Sequence, residues 1–174
     1  MKKITTYFLL SLISFFSSQK AFTQTSVIQA QASFIYNFTR YIEWPASNKS
    51  GDFVIGVYGS SSFFSELKSF TTDKKVGNQT IVIKKISNID EIGGLHVLFV
   101  PFGKTKEIPS IVGKIGESKT IIIGEKTGAL ELGATINFVI SDDDKLKYET
   151  KISNALKMGL KCNSVLETMA CSKH

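Results

Sequence analysis

Apolar residues recur at helical spacing from Val27 to Pro45. At roughly 100° per residue, Val27, Ala30, Phe34, Phe38 and Tyr41 form one narrow stripe. Ile28, Ile35 and Ile42 widen it, and Gln29, Ser33, Arg40 and Glu43 fall opposite. The spacing predicts an amphipathic helix of about four turns ending at Pro45, which biases Trp44 away from helical geometry. Tyr36 breaks the pattern by falling in the polar arc.

Downstream the pattern alternates short apolar runs with helical faces. Phe53–Tyr58, Thr80–Lys85, Leu95–Val100 and Thr120–Ile123 are short, apolar and rich in β-branched residues, as buried strands are. Ser60 or Ser61 can cap a helix whose face is Phe63, Phe64, Leu67 and Phe70. Lys104 to Gly116 carries a second face, Ile108, Ile111, Val112 and Ile115. Ala134–Ile140 and Lys145–Glu149 are close enough for a hairpin across an acidic turn. Ile152, Ala155, Leu156 and Leu160, then Val165, Leu166, Met169 and Ala170, predict two closing helices. Alternation of this kind implies crossover units. The expected fold is three-layer α/β: a mostly parallel sheet flanked by helices, with an antiparallel C-terminal hairpin at one edge.

The amino terminus reads differently. Met1-Lys2-Lys3, an apolar run from Ile4 to Phe16 and small residues after it have the layout of a secretory signal. That run is shorter than the roughly 20 residues of a spanning helix. The expected organisation is a signal peptide over 1–24 and one α/β domain over 25–174, exported to the periplasm. Charge changes with this reading. The chain of 174 residues carries a formal +6. Removing Lys2, Lys3 and Lys20 from the 21 basic residues leaves 18 against 15 acidic ones, a net of +3. The remaining lysines are scattered, which argues against a nucleic-acid-binding face.

Candidate chemistry is sparse. Gly56-x-x-Gly59 followed by Ser60, Ser61 and Ser62 lies between strand and helix, where an anion can bind, but lacks the dinucleotide fingerprint and the lysine of a P-loop. In a doubly wound sheet the carboxyl ends of the strands would hold such a ligand. His96 sits inside the third strand with no nearby Ser or Cys to activate. A hydrolase-like reading would need a polar pocket around it. Asp142, Asp143 and Asp144 lack the glycine and distant Glu of a calcium loop and read as a solvated turn. The histidines and cysteines are not at zinc spacing. No catalytic set, cofactor site or metal site assembles, so the expectation is a protein that is not an enzyme.

Tyr36, Arg40 and Trp44 are the candidates for a partner interface: an aromatic on a polar face, the only arginine and the only tryptophan. Arg40 can instead pair with Glu43 at i and i+3. Cys162 and Cys171 can form a disulfide in an oxidising compartment. Nine residues of helix would separate them by roughly 13 Å, against a limit of about 7 Å, so a bridge requires the chain to fold back.

The segment FIYNFTRYIEWP resembles the opening signature of the YfiR-like family of exported regulatory domains. FVIGVYG, TIVIKKI after Gly77, HVLFVP, KTIIIGE and the run from Tyr148 to Ala170 resemble later family segments in the same order. The chain departs at Ala134, where the family shows a second glycine after Gly133, and at Lys151, where asparagine is common and Asn154 follows a turn later. The resemblance implies a periplasmic, non-catalytic regulator. Its partner would be the periplasmic region of a membrane-bound signalling protein, a diguanylate cyclase that it represses or a sensor kinase. The competing reading is a small-ligand-binding sensor domain feeding a histidine kinase. Exposed apolar surface would allow a homodimer.

Overall fold

The computed structural model describes residues 27–174. The signal-peptide expectation over 1–24 lies outside the described residues.

Helix α1 spans residues 27–38, well short of Pro45. Its last amides turn to tighter bonds, Thr39 N to Tyr36 O at 3.3 Å, Arg40 N to Asn37 O at 3.0 Å and Tyr41 N to Phe38 O at 2.9 Å. The Thr39 hydroxyl also donates to Tyr36 O at 2.6 Å, competing for the helix's own acceptors. Strand β1 (Ile42–Glu43) then leaves the helix to pair with β9 (Lys161–Cys162), Ile42 opposite Cys162. Strand pairing far along the chain therefore overrides the helical spacing of Tyr41 and Ile42.

The remaining elements follow in order: β2 (Phe53–Tyr58), α2 (Ser61–Thr71), β3 (Lys75–Val76), β4 (Gln79–Ile86), β5 (Val97–Val100), α3 (Ile108–Ile115), β6 (Ile121–Gly124), β7 (Ile136–Ile140), β8 (Leu146–Thr150), α4 (Ile152–Lys157), β9, α5 (Ser164–Thr168) and β10 (Ser172–Lys173). Eight strands form one sheet in the order β10-β8-β7-β6-β5-β2-β4-β3. The pairs from β4 through β7 are parallel, while β7–β8 and β3–β4 are antiparallel. The parallel strands thus run 2-1-3-4-5, the doubly wound order. The expected three-layer α/β architecture with its C-terminal hairpin is present, and β10 extends that edge by pairing parallel to β8.

Every residue of β5 and β6 is buried, so the sheet is covered on both faces. On one face an aromatic chain joins the layers. Phe63 of α2 meets Phe99 at 4.2 Å, Phe99 meets Phe138 at 6.5 Å, and Phe38 of α1 meets Phe138 at 6.0 Å and Tyr148 at 4.8 Å. Helix α1 therefore covers the hairpin. Gly56 sits in the middle of the sheet, where a Cβ would come within 2.7 Å of Leu95 Cδ1. It is a close-packing position, not a ligand cradle.

Two short elements carry no periodic signal. Gly77 and Asn78 close a tight hairpin between β3 and β4, with Gly77 at φ 58°. Leu160, assigned by spacing to the helix now seen as α4, lies beyond it and is buried at 1% exposure.

Candidate functional site

Three regions could carry function: the end of α1, the amino ends of the central strands beneath it, and the carboxyl-end crevice between β2 and β5.

Trp44 packs into the fold. It is 4% exposed, its indole N–H donates to Lys119 O at 2.9 Å, and its ring meets Phe53 edge-on at 4.9 Å. The proline that follows holds the chain extended and turns the ring inward. Its role is to pin the end of the α1 segment to the sheet.

Tyr36 is half-buried, and a packing partner accounts for its place in the polar arc. Its ring meets Phe70 of α2 at 6.4 Å, and its hydroxyl reaches Lys75 O at 3.5 Å. The Arg40 guanidinium stacks over the same ring at 5.2 Å, and Lys74 lies 4.3 Å over Phe70. Arg40 thus takes an aromatic face instead of Glu43, and no ion pair to it exists among the described residues. Arg40, Tyr36, Phe70 and Lys74 form a basic aromatic ledge.

The ledge borders a groove of about 720 Å³, walled by residues 39–44, by Lys49 and Phe53, by the β3–β4 turn at 76–79 and by 161–163. Its deep polar groups are satisfied within the fold. Gln79 donates to Asn48 O at 3.1 Å, besides weaker contacts to Ser50 O and Gly51 O. Cys162 is half-buried, and burial pushes its thiol up to about 11, so the wall it forms stays neutral. Arg40, Lys49 and Lys161 stand exposed on the rim against the single carboxylate of Glu43.

His96 lies behind the groove's floor as a structural clip. Val54 N donates to Nδ1 at 3.1 Å, Nε2 lies 2.8 Å from Asn48 O, and the ring stacks on Phe53 at 4.3 Å. Both ring nitrogens are committed to backbone groups, the geometry of the Nε2–H tautomer. Its hydrogen-bond and ring partners among the described residues are backbone groups and the Phe53 and Trp44 rings, not the acid or nucleophile that a hydrolase-like site would need.

At the carboxyl ends the crevice between β2 and β5 holds the protein's own side chains, while a separate pocket of about 390 Å³ opens beside it between Gln31, Phe102, Glu125, Lys126 and Ile140. Tyr58 donates to Glu107, Lys104 pairs with Glu107 at 2.7 Å, and Lys104 lies 5.1 Å over the Tyr58 ring. Burial, then Glu107, pushes the Tyr58 hydroxyl up to about 12, and the Lys104 and Tyr58 donors hold Glu107 below its ordinary value. Gly59, at φ 71°, turns the chain beside Lys104. Ser60 makes no side-chain cap bond.

Cys162 and Cys171 are free thiols in this structure. Cys171 lies at the sheet edge, its thiol donating to Tyr148 O at 3.1 Å. The acidic turn is closed internally, Lys145 pairing with Asp143 at 2.6 Å. No His, Cys, Asp or Glu cluster suited to a metal ion occurs among the described residues. No helix among them is long and apolar enough to cross a membrane.

A solved structure titled as a conserved domain protein from Vibrio cholerae O1 biovar El Tor has the same fold, with a TM-score of 0.58 at 12% identity over 84% of this chain and 60% of that one. The ABC domain in complex with L-Trp from Streptococcus pneumoniae aligns with a TM-score of 0.50 at 16% identity, over 70% of this chain and 55% of that one. The chain thus aligns to little more than half of each structure's length. No curated protein sequence matches it. The protein-family model described as YfiR/HmsC-like matches residues 28–170, from α1 to the end of the α5 region, and the chain belongs to that family.

Proposed function

We propose that this protein is an exported, periplasmic regulator without catalysis of its own. It binds the periplasmic region of a membrane-bound signalling protein, a diguanylate cyclase, and holds it inactive. Family membership over residues 28–170 is the observation that carries this reading. The self-satisfied polar groups agree with it: His96, Gln79 and the Tyr58–Glu107–Lys104 set are all bonded within the fold. Repression of this kind is an equilibrium, and it requires a higher affinity for the partner's inactive state. Residues 1–24 serve as the export signal, with cleavage between Ala21 and Thr25. The partner-facing surface includes Tyr36 and Arg40, with Trp44 in the lining of the groove beside them.

Deletion tests the reading: cellular cyclic di-GMP rises when the protein is lost and returns with a plasmid copy. An unchanged level rejects repression of a cyclase. The second reading, a small-ligand sensor feeding a histidine kinase, draws on the doubly wound strand order and the Gly59–Ser62 turn. Calorimetry of the purified protein against nucleotides and amino acids separates the two. A flat panel counts against the sensor.

A further inference from the structure

We propose that the groove beside Arg40 receives an extended acidic segment of a partner protein. One apolar side chain of that segment seats between Tyr41, Val76 and Cys162, and its carboxylates meet Arg40, Lys49 and Lys161. The proposal deepens the regulatory reading and rests on it for the source of the segment.

Three observations carry it. The first is charge. Arg40, Lys49 and Lys161 have no ion pair among the described residues, although the groove they rim holds the carboxylate of Glu43. Three exposed cations without ion pairs against one carboxylate give the rim a net positive charge, which steers and selects an acidic occupant. The second is shape. Its lining comes from three separate stretches, residues 39–44, 76–79 and 161–163, around an open space of about 720 Å³. A groove bordered by three stretches of chain has room for several residues of an extended segment. The third is the lack of fixed directional groups at the bottom. Trp44 N–H and the Gln79 amide spend their hydrogen bonds inside the fold. Small-ligand sites hold their occupant with a few convergent polar groups. Here the depth offers apolar surface and the rim offers long flexible cations, so an apolar anchor flanked by carboxylates fits better than a compact metabolite.

The only tryptophan lines this groove, so its fluorescence reports occupancy. The purified exported protein is titrated with a peptide of about ten residues, alternating Asp and Glu around one phenylalanine, which spans roughly 33 Å when extended. A lysine counterpart, free glutamate and a single-stranded DNA of equal charge are the controls. The acidic peptide changes Trp44 emission saturably and weakens as salt rises from about 50 to about 300 mM. Arg40→Glu with Lys49→Glu, both exposed positions, lowers its affinity at least tenfold while the melting temperature holds. Equal binding of the lysine peptide or the DNA, an equal response to free glutamate, or unchanged affinity in the double variant overturns the proposal. In cells the two claims separate. If deletion leaves cyclic di-GMP unchanged, the cyclase reading fails and the peptide result stands by itself. If deletion raises it and the double variant restores repression fully, the groove proposal fails and the cyclase reading stands.

Discussion

Trp44 links the packed interior to the surface that carries Arg40. Its ring is buried against Phe53 and its N–H is spent on Lys119 O, so truncation opens a cavity and releases the end of the α1 segment. Trp44→Ala is expected to cost about 3–5 kcal/mol, and Trp44→Phe, which loses chiefly the hydrogen bond, about 1 kcal/mol. Chemical denaturation followed by circular dichroism measures both. Equal small losses would show that the ring is not the pin described. Asn154 is a second such residue, 6% exposed, donating to Leu130 O and Ala134 O at 2.8 Å each. Asn154→Ala takes this donor from Ala134 O, while Leu130 O keeps Gly133 N at 3.2 Å, and is expected to cost about 1–3 kcal/mol. Two tyrosines set an alkaline limit. Tyr58 and Tyr148 are held protonated to about 12, each mainly by burial. A folded value above the unfolded one gives stability that is complete below pH 10, the ordinary tyrosine value, and lost as pH rises toward 12. Ultraviolet titration of tyrosinate should therefore show a late step that coincides with loss of near-ultraviolet dichroism. Complete ionisation near pH 10 with the fold intact would contradict the assignment. Glu107 works in the opposite sense: its lowered value gives stability above the ordinary carboxyl range, lost in acid below it.

At the level of elements, what could be read from residue spacing was what periodicity encodes. Strands β2, β5 and β6 are buried apolar runs and β7 is nearly so, and the faces of α2 and α3 recur at helical spacing, so each is visible locally; β4 carries only a short apolar stretch, Ile81–Ile83, and alternates exposed and half-buried positions, unlike the doubly covered strand its composition suggests. Strands β1, β3, β9 and β10 are two residues long and owe their existence to a partner elsewhere, which no local period records. That is why the first helix was expected to reach Pro45: Tyr41 and Ile42 fit its stripe, while Lys161–Cys162, which draws Ile42 into a ladder, lies far along the chain. The candidate site was legible to the same degree. Arg40 could be singled out by rarity, but the Phe70 ring that explains Tyr36, and Lys49 and Lys161 on the groove rim, are brought there by tertiary packing. The inward turn of Trp44 had a local cue in Pro45, whereas its Lys119 acceptor did not. The β3–β4 turn shapes one groove wall and depends on Gly77 at φ 58°. A branched residue there is strained in the left-handed region, so Gly77→Val is expected to cost about 1–2 kcal/mol and to weaken peptide binding with it. Unchanged peptide affinity in a folded Gly77→Val protein would mean that this wall does not contribute.

For the whole molecule, the distribution of satisfied and unsatisfied groups separates scaffold from surface. The carboxyl-end crevice, where doubly wound proteins bind ligands, is filled by Tyr58, Lys104 and Glu107. The opposite end carries the open groove, whose rim cations make no ion pair among the described residues. Outside the groove lining, Leu156 and Met169 are 59% and 57% exposed, apolar side chains that self-association would cover. Analytical ultracentrifugation at increasing concentration tests that, with Leu156→Glu expected to shift any dimer to monomer. The central claim is that the protein acts by holding a membrane signalling partner inactive. The most direct measurement is cellular cyclic di-GMP in a deletion strain carrying either the wild-type protein or the Arg40→Glu, Lys49→Glu variant at equal periplasmic abundance. The account predicts a raised level on deletion, restored by wild type and left raised by the variant. A level that does not move on deletion would contradict it.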